Sequence, residues 1–277
     1  MVVRALRALV LVLGIGCLAL AGTPAETRAQ AERVRVVFVG GLGSSPATNA
    51  LTFGPLAREL GARAGYGQND LLTFDYADGN TCQPLAASAN QLAEMVRQLR
   101  DSGAADSVVL VGHSMGGVVA LDAASALNGR GELAQPFIRR VITVDSPLGG
   151  LTRFQRAVIA DLWLGPCPAA NDSVQRYVNP SWPSMLSGRV ASLLERGVQV
   201  FAVANPEDLL LDPWTQHVPE LAAPNGGDAS ARATATVNVT LSALDDSASH
   251  SAVLLAPHGV AELVRLVGAV AGADVLG

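Results

Sequence analysis

The chain has 277 residues, 49% of them hydrophobic and only 16% charged, with a formal net charge of −5. That length supports one large α/β domain with a sizeable core, and the composition excludes a disordered chain. The negative balance leaves no basic face for nucleic acid, and the absence of lysine excludes Schiff-base chemistry and lysine-dependent phosphate loops.

At the N-terminus, Arg4 and Arg7 precede "ALVLVLGIGCLAL", an apolar stretch with the length of a signal-peptide core. It is short for a membrane span, which needs roughly 20 apolar residues. Ala19-Leu20-Ala21 and Ala29-Gln30-Ala31 both offer small-x-small cleavage sites. Residues 1–31 are therefore expected to carry a signal peptide cleaved between positions 21 and 31. The mature chain would then be residues 32–277, exported; an uncleaved anchor is the alternative. Removing the signal leaves Cys82 and Cys167 as an even pair without CxxC spacing. In an oxidising compartment such a pair reads as a disulfide, and it makes a poor metal site.

From residue 33 two periods alternate. "RVRVVFVG" (33–40) predicts a strand, "LTFGPLARELGARAG" (51–65) a helix and "DLLTFDY" (70–76) a second strand. Leu85, Leu92, Met95, Val96 and Leu99 stripe one side of a helix over 84–103. "SVVLVG" (107–112) is a third strand and "MGGVVALDAASALN" (115–128) the helix that follows it. Strands are expected again at 138–147, 197–206 and 234–242, and a last helix at 257–272. Several strands are apolar at consecutive positions, as when helices cover both faces of a sheet. The pattern predicts a doubly wound, mostly parallel sheet of about six strands. Residues 147–196, with two tryptophans and several prolines, are too long for a tight connection and predict a small cap or lid.

Polarity inside "VVLVGHSMGGVVALDAA" (108–124) marks the candidate chemistry. A serine on a sharp strand-to-helix turn takes a strained backbone, and flanking glycines remove side chains that would collide with strand and helix. The helix directs its N-terminal dipole at the serine. By itself G-x-S-x-G is a weak signal, and a glycine-rich turn with a capping serine is the alternative; the preceding strand and following helix sharpen it.

A nucleophilic Ser114 needs a base, an acid and an oxyanion hole. His113 sits inside the turn and cannot swing round to the serine. His250, in "DDSASHSAVL", follows the last strand at the carboxyl edge of the sheet, where such sites form. His258 reads as a helix-terminus residue, and His217 lies in an irregular excursion. For the acid, Asp208 lies just beyond the strand "VQVFAVA"; Asp212, Glu207 and Asp145 compete. The oxyanion hole is expected from the backbone N–H groups of Met115 and of Leu42, in the glycine-rich "VGGLGSS" loop.

The segments "VVFVGGLGSS", "FDYADG", "VVLVGHSMGGVVA", "TVDSPLGG", "ANPEDLLL" and "SHSAVLLAPHGVAELV" span residues 35–270. Together they resemble the α/β-hydrolase superfamily, specifically its small secreted lipases and esterases. Ser114, Asp208 and His250 stand in that superfamily's chain order of nucleophile, acid and base. Gly40-Gly41 stands where lipases of this group often carry His-Gly. The resemblance implies an α/β-hydrolase fold and hydrolysis of carboxylic esters through an acyl-enzyme, without metal or organic cofactor. It implies an ester or lipid substrate, transient contact with a lipid interface, and a monomer. Trp163, Leu164, Trp182 and Met185 would line an acyl pocket or face lipid; packing the cap onto the sheet is the alternative. A thioesterase or peptidase would use the same triad, a non-catalytic binding protein of this fold would lack part of it, and a nucleotide-binding protein would need a phosphate loop that the chain lacks.

Overall fold

A computed structural model describes residues 32–130, 137–162, 166–219, 238–241 and 248–268. The expected signal peptide, Trp163 and Leu164 lie outside the described residues, as do parts of the expected last strand and last helix. Six β-branched or apolar runs build one sheet: β1 (Val34–Val39), β2 (Leu71–Thr73), β3 (Ser107–His113), β4 (Ile138–Val144), β5 (Gln199–Ala204) and β6 (Asn238–Thr240). Their order is β2-β1-β3-β4-β5-β6, and every neighbouring pair is parallel. The crossovers run one way from β1 to β2 and the other way from β3 onward, so the topology switches between β1 and β3. Loops leaving the carboxyl ends of two such strands diverge and open a crevice.

Helices cover both faces. Val37, Val39, Val108 and Leu110 face a core shared with α2 (Leu85–Asp101) and α3 (Met115–Gly129). Val36, Phe38, Val109 and Val111 face a second core with α1 (Pro46–Ala64), α7 (Ala252–Leu255) and α8 (Pro257–Val267). The strand period of two divides adjacent residues between these layers. Helix α1 starts five residues before its apolar pattern predicts. Pro46 occupies its first turn, the Ser45 hydroxyl accepts from the Thr48 N–H at 3.2 Å, and the Thr48 hydroxyl accepts from the Ser45 N–H at 2.7 Å. This reciprocal cap satisfies N–H groups that would otherwise fray.

Between β4 and β5 run α4 (Arg153–Leu162), α5 (Pro168–Val178) and α6 (Trp182–Glu195). α6 packs on α3 and β5, where a crossover helix belongs. Cys82 and Cys167 form a disulfide that ties the segment after β2 to the start of α5. Asp172 of α5 accepts the Leu85 N–H at 2.9 Å. Asp122 of α3 pairs with Arg176 of α5 and with Arg189 of α6, the latter at 2.9 Å. Trp182 lies between those two guanidinium groups, 4.4 and 5.0 Å from its ring centroid, and donates Nε1–H to the Leu148 carbonyl at 2.8 Å. No described helix is long and apolar enough to cross a membrane.

Candidate active site

Ser114 joins β3 to α3 with φ 55° and ψ −131°, a region that side-chain-bearing residues rarely occupy. Such strain persists only where the surroundings enforce it. Here the Ser114 N–H donates to the Val144 carbonyl at 2.8 Å, and the Ser114 carbonyl accepts the Gly117 N–H at 3.0 Å. The motif glycines are steric necessities. A Cβ on Gly112 would lie 2.5 Å from the Gly116 carbonyl oxygen, and one on Gly116 would lie 2.5 Å from the Gly40 carbonyl oxygen. The turn therefore lets α3 pack against both β1 and β3 while the serine hydroxyl stands at the sheet's carboxyl edge.

The structure brings Ser114, His250 and Asp208 together. Ser114 Oγ lies 2.8 Å from His250 Nε2, and His250 Nδ1 lies 2.7 Å from Asp208 Oδ2. A carboxylate can only accept, so Nδ1 carries the proton and Nε2 is left to receive one from the hydroxyl. The Asp208 side chain is fully buried, and its other oxygen accepts from the N–H groups of Leu210 at 2.7 Å and Leu211 at 3.3 Å. These bonds fix the direction of the carboxylate.

The other candidates lie elsewhere. Asp212 caps the short turn Pro213–Thr215 through its carbonyl, and Glu207 is tied through its N–H to the Asn205 side chain at 3.1 Å. Asp145 is buried beside the site; burial, and then the negative charge of Asp208, raise its pKa well above the usual carboxylate range. His258 is exposed in α8, and His217 lies 3.3 Å from the Thr240 hydroxyl. His113 turns away from the hydroxyl and donates Nε2–H to the His250 carbonyl at 2.9 Å.

The loop after β1 lies against Ser114: a Cβ on Gly41 would sit 2.7 Å from Ser114 Cβ. Two side chains that sequence reasoning did not assign hold this loop. The buried Tyr76 hydroxyl donates to the Gly40 carbonyl at 2.7 Å, and the Thr81 hydroxyl accepts the Gly43 N–H at 2.8 Å. An aromatic residue at the end of a strand is the only trace of the first contact in the sequence, and nothing local marks the second. Among the described residues, no hydrogen bond engages the backbone N–H of Leu42 or Met115.

Of the two pocket candidates within the described residues, Trp182 is buried as a packing residue between Arg176 and Arg189, whereas Met185 is 44% exposed. Leu209, Trp214 and Phe154, in segments following β5 and β4, are also exposed, and the Trp214 ring lies 5.5 Å from Tyr177. Among the described residues no cluster of His, Cys, Asp or Glu is arranged to hold a metal.

A model of the Alpha/beta hydrolase family matches residues 36–269, from β1 past α8. The chain belongs to this family. Solved alpha/beta hydrolase-like structures resemble it at low identity. A lipase-esterase related protein from Clostridium acetobutylicum is 14% identical, with 85% of this chain and 94% of that one covered at a TM-score of 0.54. The lipase BlEst2 from Bacillus licheniformis is 17% identical, with 89% and 96% covered at 0.52. Against phospholipase PlaB from Legionella pneumophila, 17% identical with 61% of this chain covered and a TM-score of 0.47, the chain spans only 37% of that protein. A search among curated protein sequences finds no significant match. At such identities the likenesses speak for the shared fold, and the chemistry of this hydrolase rests on its own residues.

Proposed function

We propose that this alpha/beta hydrolase is an exported serine hydrolase of carboxylic esters, with Ser114 as nucleophile, His250 as base and Asp208 as orienting acid. The observation that carries the reading is the unbroken hydrogen-bond chain from Asp208 through His250 to a serine on a strained turn. His250 Nε2 takes the hydroxyl proton as Ser114 Oγ bonds to the ester carbon, and the carbonyl electron pair moves onto oxygen. The N–H groups of Leu42 and Met115 stabilise that oxyanion, helped by the N-terminal dipole of α3. Collapse expels the alcohol, which takes its proton from His250. Water then cleaves the acyl-enzyme by the same steps in reverse order.

The signal-like N-terminus and the Cys82–Cys167 disulfide support export. The apolar side chains exposed at Met185, Leu209 and Trp214 support an ester whose acyl chain comes from a lipid. The test combines a fluorophosphonate probe with p-nitrophenyl esters of short and long acyl chains. The parent is expected to label and hydrolyse, and Ser114→Ala to do neither. Equal labelling of Ser114→Ala would overturn the reading, and retained activity in His250→Ala with loss in His258→Ala would reassign the base.

A further inference from the structure

His113 occupies the motif position next to the nucleophile, yet the proposed reaction makes no use of its ring. We propose that His113 is a positioning residue that holds His250 in register with Ser114 by donating Nε2–H to the His250 backbone carbonyl. The inference rests on the triad reading above.

The geometry is specific. His113 is the last residue of β3 and pairs with Val144 in the middle of the sheet, so its backbone is held by the ladder on a fully buried strand. Its ring is buried, 5.0 Å from the His250 ring and tilted 44° to it, with Nε2 2.9 Å from the His250 carbonyl. A carbonyl only accepts, so Nε2 must be the protonated nitrogen of a neutral ring. Burial and the neighbouring His250 push the His113 pKa down to about 3, which keeps that tautomer through the working range of an imidazole base.

Beyond His250, Ala252, Val253 and Leu254 are buried in the core, whereas among the described residues the backbone just before it is held by long bonds. Asn205 Nδ2 reaches the Ser249 carbonyl at 3.4 Å, and the Leu209 N–H reaches the Ala248 carbonyl at 3.4 Å. Both sit at the long limit of hydrogen bonding. The His113 bond, at 2.9 Å, is the shortest described tie to this backbone from outside the segment, and it acts on the residue that bears the base. One dipeptide, His113-Ser114, thus supplies the nucleophile and anchors the base it must meet. The 2.8 Å Oγ···Nε2 distance becomes a property of one rigid strand end rather than of two independent segments. A misplacement of about 1 Å in such a pair costs on the order of 10²-fold in rate.

The test compares His113→Leu, His113→Asn and His113→Gln. Glutamine places an N–H donor at the position of the imidazole Nε2; asparagine is one methylene short, and leucine has no donor. Leucine and asparagine are expected to lower kcat and the fluorophosphonate labelling rate together, by roughly 10–100-fold, with KM within about twofold of the parent. Glutamine is expected to recover most of the loss. Labelling and kcat within about twofold of the parent in both the leucine and the asparagine variants would overturn the inference. So would a glutamine variant as impaired as the asparagine one, because bulk rather than donation would then matter. If leucine does not fold, the glutamine–asparagine pair, matched by thermal melting, decides alone. Failure of the parent itself to label would instead fault the triad reading, so the two failures are distinguishable.

Discussion

Replacing Asp145 by asparagine should change how stability depends on pH while leaving catalysis nearly intact. Asp145 follows β4 with φ 46° and no solvent exposure. Its Oδ1 accepts the Asn205 N–H at 3.0 Å, and its Oδ2 has no partner among the described residues. Burial first, and the charge of Asp208 second, keep it protonated well above its ordinary value of 3.8. The unfolded chain ionises there while the folded chain does not. Each pH unit above 3.8 therefore removes about 1.4 kcal/mol of stability, until the folded group itself ionises. His113 works in the opposite direction. Its folded pKa of about 3 lies below the ordinary 6.5, so its contribution is complete above pH 6.5 and falls by about 1.4 kcal/mol per unit on acidification toward 3.

From about pH 4 to 6.5, while the folded Asp145 stays protonated, the two slopes oppose each other in the parent. Asparagine removes only the first. The stability of Asp145→Asn minus that of the parent should rise with pH from 4.5 upward, by about 1.4 kcal/mol per unit, or roughly 3–6 °C in melting temperature, for as long as the folded Asp145 stays protonated. Any cost of fitting the amide is independent of pH and drops out of the comparison. Thermal or urea unfolding of both proteins at pH 4.5, 5.5 and 6.5, at fixed ionic strength, measures this directly. Parallel pH profiles would refute the argument, since Asp145 would then ionise alike in both states. Ester hydrolysis should stay within a few-fold of the parent; a loss as deep as that of Asp208→Asn would make Asp145 the orienting acid.

Asp208→Asn should lower kcat by about 10⁴, because an amide in that place favours the wrong imidazole tautomer, whereas Asp212→Asn should match the parent in the same ester assay. Gly41→Ala should lower kcat by about 10²–10³ with little change in melting temperature. Gly41 has no positive φ to strain, and the new methyl meets the Ser114 side chain first, with the His113 carbonyl oxygen next at 3.2 Å; an active variant would mean that this loop does not complete the oxyanion hole. Replacing Cys82 and Cys167 by serine opens a crosslink over 85 residues, for which loop entropy gives a loss of about 4.6 kcal/mol. Melting should fall by roughly 9–18 °C, and an unchanged melting curve, with or without reductant, would show that the other cap contacts carry the restraint.

The helices between β4 and β5 are fastened to α3 and to the segment after β2. Asp122 lies near the middle of α3, about two turns from Ser114, and receives guanidinium groups from α5 and α6 at the same carboxylate. Met115, the first residue of α3, accepts the Ser173 hydroxyl of α5 at its sulfur at 3.3 Å. The disulfide joins α5 to the segment whose Thr81 holds the oxyanion loop. Contacts of α5 thus reach both the first residue of α3 and the segment that holds the loop after β1.

Much of this architecture is written locally. β-branched runs separated by helical stripes specify a parallel sheet, and a parallel sheet brings residues following β3, β5 and β6 to one edge, which is why Ser114, Asp208 and His250 could be grouped without coordinates. What was not legible depends on reach across the fold. The early start of α1 follows from a serine–threonine cap that carries no apolar signal. The second strand ends at Thr73, because the chain then turns so that Tyr76 can reach Gly40. Asp145 and Asp208 carry the same chemical group after neighbouring strands, and only their surroundings separate an acid that contacts imidazole from one kept neutral. His113 shows the boundary most sharply. Its place in the turn was enough to exclude it as the base, since a strand residue beside Ser114 points away from the hydroxyl. Its partner is a backbone carbonyl 137 positions along the chain, and no local pattern marks a backbone acceptor. The same alternation that removes His113 from proton transfer aims it at the segment carrying the proton acceptor.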